Sequence, residues 1–148
     1  SSIVAWGNDI ALIAGALHGS VTHIVSTPSF LYDSINQRLK TSTYPLEEFN
    51  DYLRLYPEKE KKVSKILAYY DLRFHAPAIT ADSLIIADHE GGLHDEKTLS
   101  DLTENMSGPV TVRTSERSSY KDGIFTEEWL TEKLFGQEAV PLIPNHWK

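Results

Sequence analysis

Short apolar runs alternate with longer amphipathic segments along the chain. Four runs are continuous and rich in β-branched residues, which is typical of strands buried on both faces. They span residues 3–6, 21–25, 83–87 and 110–113. Because segments of helical period separate them, we predict βαβ units and an α/β fold of about four parallel strands flanked by helices.

The predicted helices have apolar positions spaced along one helix face. The first follows Asn8 and Asp9, a pair that can cap it. The predicted helices span residues 10–17, 29–39, 46–55, 58–70, 96–105 and 126–135. Residues 140–144 predict an extended tail that docks on the domain.

Residues 28–75 differ from the rest in being polar, aromatic and helical in period. They predict a helical insertion between the second and third strands of a single domain over residues 1–148. The aromatic side chains of the insertion suit either core and subunit contacts or stacking on sugar rings. These residues are Tyr32, Tyr44, Phe49, Tyr52, Tyr56, Tyr69 and Tyr70.

Composition and charge narrow the classes of partner. The chain has 148 residues, a net charge of −7 and no cysteine. The acidic balance argues against nonspecific binding to nucleic acid or to an anionic membrane. No apolar run reaches the roughly 18–20 residues of a membrane span, and no signal peptide is present, so we predict a cytoplasmic location. The sequence holds no phosphate loop and no dinucleotide fingerprint, so we predict no cofactor and no metal site.

Two segments of the predicted insertion resemble one family. They are residues 43–54 (TYPLEEFNDYLR) and 65–71 (KILAYYD). Both are similar to the helical insertion of the acetyl xylan esterase and cephalosporin-C deacetylase family of α/β-hydrolases, and Ala76 and Ile79 match the lead-in to the family's acid-bearing strand. The resemblance spans nearly the whole chain but only the C-terminal half of the family domain. It implies a partial α/β-hydrolase fold, serine carboxylic-ester hydrolase chemistry, and a carbohydrate or small ester as ligand.

The family's catalytic positions look vacant in this sequence. An active member needs a serine on a G-x-S-x-G turn, a histidine that takes its proton and an acid that orients the histidine. The resemblance carries these three positions onto Ala5, Ser118 and Gly91, in that order. None of these residues can perform the role, so we predict a catalytically degenerate domain kept for structure, assembly or ligand binding.

Alternative chemistry rests on the polar segment after the third predicted strand. Asp88, His89 and Glu90 are fallback candidates for an acid–base pair or a metal site. The simpler interpretation is a solvated loop whose Asp95 caps the following helix. The alternative function is an active carbohydrate or small-ester deacetylase, completed by an N-terminal part that this chain lacks. A third interpretation is an interaction module that uses the aromatic insertion as its surface.

The start of the chain predicts an assembly. Residues 3–6 predict a strand immediately after Ser1-Ser2, as expected for a piece cut from something longer. In the full family fold this strand has neighbours that the chain does not supply, so its edge exposes unpaired backbone groups. We therefore predict a homo-oligomer, or a complex with the missing N-terminal half.

Overall fold

The computed structural model describes residues 1–42 and 44–136. Its centre is a sheet of four parallel strands in the order β1-β2-β3-β4. The strands are Val4–Gly7 (β1), His23–Ser26 (β2), Asp82–Ala87 (β3) and Val110–Thr114 (β4). The predicted α/β architecture is confirmed, with each strand within two residues of its predicted bounds. Because all four strands are parallel, their carboxyl ends meet at one edge of the sheet.

Seven α-helices connect and flank the strands in the described part of the chain. They are Asp9–Leu17 (α1), Ser34–Gln37 (α2), Leu46–Leu55 (α3), Glu60–Tyr70 (α4), Leu72–His75 (α5), Ser100–Thr103 (α6) and Ser119–Phe135 (α7). Two short 3₁₀ helices, Pro57–Lys59 and Ala76–Ala78, precede α4 and β3. Helices α2 to α5 lie between β2 and β3, at the place where the sequence predicts an insertion.

The core lies on both faces of the sheet, as the continuous apolar strands require. On one face Leu12 of α1, Ile24, Ile85 and Leu102 belong to a cluster of fully buried side chains. On the other face Trp129 of α7 packs against strand residues of β2 and β3. No helix among residues 1–42 and 44–136 is both long enough and apolar enough to cross a bilayer.

Two predicted helices are much shorter than expected. The helix predicted over residues 29–39 is limited to Ser34–Gln37, because Asp33 has a left-handed φ of 47° that a continuous α-helix cannot contain. The helix predicted over residues 96–105 is limited to Ser100–Thr103. There the Asp95 carboxylate binds the amide of Thr98 and holds the chain in a turn.

Helix α7 is longer than predicted. It begins at Ser119 rather than at Thr126, because the Ser118 hydroxyl accepts a hydrogen bond from the amide of Lys121 and so caps the helix. The predicted extended tail at 140–144 lies outside the described residues.

Candidate functional site

A cavity of about 540 Å³ opens at the carboxyl edge of the sheet. Residues at or just after the ends of all four strands line it, together with the first turns of α7. The lining includes Trp6, Ser29, Asp88, His94, Ser115, Ser119 and Asp122. In open parallel sheets this edge is the usual place for a ligand, and the volume suits a small molecule.

Asn8 occupies the turn between β1 and α1. Strand β1 ends at Gly7 and α1 begins at Asp9, so a single exposed residue makes the strand-to-helix connection. The backbone carbonyl of Asn8 accepts a hydrogen bond from the Ser26 hydroxyl at 2.9 Å, which fixes the turn to β2.

The prediction that Ala5 occupies this turn is wrong. Ala5 lies inside β1 and pairs with Ile24 of β2. The strand stays in register with β2 as far as Gly7, and the amide of Thr27 then bonds the Gly7 carbonyl. The chain therefore leaves the sheet only after Gly7, three residues later than the resemblance implied.

Asp9 connects α1 to the loop after β2. Its side chain is buried and accepts three hydrogen bonds, from the Ser29 amide at 2.8 Å, the Ser29 hydroxyl at 2.7 Å and the Phe30 amide at 3.0 Å. Asn8 makes no capping bond with its side chain. The predicted Asn8-Asp9 cap is therefore wrong, because the carboxylate binds a loop twenty residues away. No local pattern marks this partner.

His94 is a buried imidazole at the wall of the cavity. It is only 9% exposed, its Nε2 atom has no hydrogen-bond partner, and its ring stands edge-on to Tyr32 at 6.1 Å. Burial lowers the pKa of His94 from its ordinary value of 6.5, although the Asp9 and Asp88 carboxylates act in the opposite direction. The ring is therefore neutral near pH 7. His94 is not among the site residues predicted from the sequence, because its burial could not be predicted.

Asp88 and His89 form an acid–imidazole pair directly after β3. The Asp88 Oδ1 atom lies 2.8 Å from His89 Nδ1 and also accepts the His89 amide at 2.9 Å. Glu90 is exposed, and it lines a neighbouring cavity of about 680 Å³ instead of the first one. Gly91 lines the neighbouring cavity too, with a left-handed φ of 80°. Of the three fallback candidates, the structure thus brings two together and places the third elsewhere.

Asp95 closes the loop that carries these residues. Its carboxylate accepts the Thr98 amide at 2.8 Å and the Gly91 amide at 3.1 Å. The hydrogen bond from Thr98, and to a smaller extent the one from Gly91, holds the pKa of Asp95 below its ordinary value. The predicted role of Asp95 as a helix cap is wrong, because α6 begins only at Ser100 and Asp95 caps a turn within the loop.

The position that the resemblance gives to the catalytic histidine is structural here. Ser118 caps α7. Nearby, Asp122 accepts the Ser115 hydroxyl at 2.6 Å and Arg113 Nε at 3.1 Å, so its charge is already compensated.

The serine hydroxyls at the cavity do not pair with an imidazole, and a threonine hydroxyl that does, Thr22 Oγ1 at 2.8 Å from His23 Nδ1, lies at the start of β2 and outside the cavity lining. Ser29 and Ser115 both donate to carboxylates. Within residues 1–42 and 44–136 no serine hydroxyl is hydrogen-bonded to a histidine ring. The same residues contain no group of three or more His, Asp or Glu side chains arranged to hold a metal ion.

Comparison with solved structures assigns the fold. The acetyl xylan esterase from Paenibacillus sp. R4 superimposes with a TM-score of 0.67 and 21% identity, over 81% of this chain and 42% of that one. This chain is acetyl xylan esterase-like in fold. Acetyl xylan esterase 1 from Thermoanaerobacterium sp. JW/SL YS485 gives a TM-score of 0.65 and 20% identity, over 83% of this chain and 43% of its own.

The match to these esterases is partial. The chain spans less than half the length of either enzyme, and at this identity the likeness shows the fold alone. An α/β-hydrolase, MGS-M2 from a Medee basin deep-sea metagenome library, also matches, with a TM-score of 0.48, 16% identity, and coverage of 97% of this chain and 68% of its own. No protein-family model and no curated protein matches the sequence.

Proposed function

We propose that this chain is a catalytically degenerate acetyl xylan esterase-like domain that has kept a ligand cavity and an assembly surface. One observation carries the proposal: the residue at the strand-to-helix turn is Asn8. In a serine esterase this turn presents the nucleophile, and the next backbone N–H helps to bind the oxyanion. A carboxamide does not attack an ester carbonyl, so the domain lacks the first step of the reaction.

The polar groups around the cavity support binding rather than ester hydrolysis. A serine becomes nucleophilic when a neighbouring base takes its proton. The Ser29 and Ser115 hydroxyls instead donate to Asp9 and Asp122, and ionised carboxylates are weak bases near pH 7. The resemblance implies a carbohydrate or small ester as the bound molecule. The predicted cytoplasmic location stays a prediction.

The outer edge of β1 supports an assembly role. One edge of β1 pairs with β2, and the strand stands at the end of the described sheet. Val4 and Trp6 of β1 and Ile10 and Leu17 of the following helix α1 are exposed, the last three by 65%, 69% and 66% of their surface. Parallel sheets are normally covered on both faces, and an apolar edge favours pairing. We propose that β-structure from a second copy, or from an N-terminal half of the same protein, covers this surface.

An active deacetylase is the second candidate, and the Asp88–His89 pair favours it. An imidazole oriented by a carboxylate is two-thirds of a hydrolytic triad. In this active deacetylase the nucleophilic serine is supplied by an N-terminal part of the protein. The esterase-like fold is compatible with both candidates.

An acetyl-ester assay separates the two candidates. 4-Nitrophenyl acetate is offered to this chain and to a longer form of the protein, and each is treated with a serine-directed phosphonate. The degenerate domain gives no turnover above that of a denatured control and no time-dependent labelling. Turnover that disappears in His89→Ala and persists in the exposed-site control His18→Ala would overturn our proposal in favour of the second candidate.

A further inference from the structure

We propose that the cavity at the carboxyl edge binds its ligand through a protonated amine. This inference rests on the retained ligand cavity proposed above and adds the charge of the group that enters it. The juxtaposition behind it is a carboxylate, Asp88, and a buried imidazole, His94, whose Nε2 atom has no hydrogen-bond partner, on the wall of one cavity.

The charges lining the cavity are acidic. Asp88 and Asp122 line it, and no lysine or arginine of the described chain does so. Asp122 is already bound by Arg113 and Ser115. Asp88 uses one oxygen for His89, and among residues 1–42 and 44–136 its Oδ2 atom accepts no hydrogen bond. A ligand with a hydrogen-bond donor and a positive charge would satisfy this oxygen, whereas an anion would meet uncompensated repulsion.

His94 supplies a second acceptor in the tautomer that carries its proton on Nδ1. Its Nε2 atom is buried and has no partner, a state that costs free energy until a ligand or water occupies it. A neutral imidazole has one donor and one acceptor nitrogen in either tautomer. Because burial lowers the pKa of His94, the ring keeps its acceptor near neutral pH. An ammonium group has three donors, so it has enough of them for both the carboxylate and the imidazole.

The surroundings of the cavity also attract cations. The neighbouring cavity shares Asp88 and is lined by Glu90, Asp95 and Glu96 against a single Lys97. The whole chain carries a net charge of −7, which raises the local concentration of cations. The exposed ring of Trp6 lies among the lining residues, where an aromatic face favours a cation further.

A series of three ring compounds of the same size tests the charge. Cyclohexylammonium, cyclohexanol and cyclohexanecarboxylate are titrated into ¹³C-labelled protein, and the His94 ring signals are followed by NMR at low and high salt. We expect saturable shifts with cyclohexylammonium, weaker binding at high salt, and at least tenfold weaker binding of the other two compounds. Equal binding of cyclohexanol, or no saturable shift with cyclohexylammonium, overturns the proposal.

Two variants locate the binding group. Asp88→Asn should weaken cyclohexylammonium binding by about tenfold. Glu104→Gln removes the same charge from an exposed position that lines neither cavity, and should leave the affinity within about twofold. If both variants weaken binding equally, the attraction is diffuse and the assigned contact is wrong. Circular dichroism of each variant confirms that it folds.

A second pair of probes extends the test to sugars. Glucosamine and glucose share one ring and differ in the amine, so we expect tighter binding of glucosamine, and equal binding overturns the amine assignment. Ester turnover is measured on the same samples. If the samples bind the amine and also turn over the ester, only the proposed function is contradicted. If they show no turnover and no amine binding, only this inference is contradicted.

Discussion

The Ser29 hydroxyl donates a hydrogen bond of 2.7 Å to the carboxylate of Asp9, twenty residues earlier in the chain. The same carboxylate accepts the Ser29 and Phe30 amides. One buried acid thus satisfies two backbone donors, and it fixes the loop that forms one wall of the cavity.

This relationship predicts a loss of stability in Asp9→Asn. An amide keeps one acceptor oxygen, so at least one buried donor loses its partner, and the free energy of unfolding should fall by about 1–3 kcal/mol. Urea denaturation checks the value. The control Asp101→Asn changes an exposed aspartate and should alter stability by less than about 0.5 kcal/mol. Equal effects of the two changes would show that the Asp9 bonds contribute nothing specific.

His94 predicts a pH dependence of stability. Because its folded-state pKa is lowered, the unfolded chain binds a proton at His94 more readily. The His94 contribution is therefore fully present above its ordinary pKa of 6.5, and it is lost as the pH falls from there towards the folded pKa.

His94→Gln should therefore show a smaller loss of stability than the wild type between neutral and mildly acidic pH. Urea denaturation of both proteins at several pH values gives the difference between their free energies of unfolding. Taking this difference cancels the contribution of the other titrating groups. The exposed-site variant His18→Gln is the matched control and should follow the wild type. If the free energy of unfolding changes with pH equally in His94→Gln and in the wild type, the prediction is contradicted.

Asn8→Ser tests whether the strand-to-helix turn alone limits catalysis. The serine in this variant would have the position of a nucleophile, but Asn8 is exposed and no described histidine is hydrogen-bonded to it. We expect no turnover of 4-nitrophenyl acetate and no burst of product. A burst that disappears in the double variant with His89→Ala would show that the imidazole reaches the turn and that one substitution separates this domain from an active one.

Val4→Lys tests the assembly at the edge of β1. A lysine beside an unpaired strand edge discourages pairing. Light scattering over a dilution series should therefore show a shift from oligomer to monomer, or loss of the complex with an N-terminal half. Leu39→Lys is the control, since it introduces the same charge at an exposed leucine elsewhere. A wild-type chain that is a stable monomer at micromolar concentration, with residues 4–7 ordered and solvent-exposed, would refute the assembly proposal.

The sheet was predictable from the sequence, whereas much of the site was not. The strand Asp82–Ala87 contains the continuous apolar run 84–87, and burial on both faces leaves that signature in the local sequence. The predicted helix over residues 29–39 is interrupted at Asp33, whose amide donates to the Asp71 carboxylate, and helical periodicity carries no information about a partner 38 residues away. Asp88 and His89 could be paired because they are neighbours in the chain. The burial of His94 depends on Tyr32, which reaches it only in the folded protein.

Asp88 borders both cavities at the carboxyl edge, so the two spaces share one negative charge. A cation held in one of them neutralises the carboxylate on which the other would rely. The two cavities should therefore compete for cations, so that binding of the first equivalent of an amine weakens binding of the second. Calorimetric titration with cyclohexylammonium would show this as one tight equivalent followed by weaker binding, whereas two equal and independent equivalents would mean that the cavities are electrostatically separate.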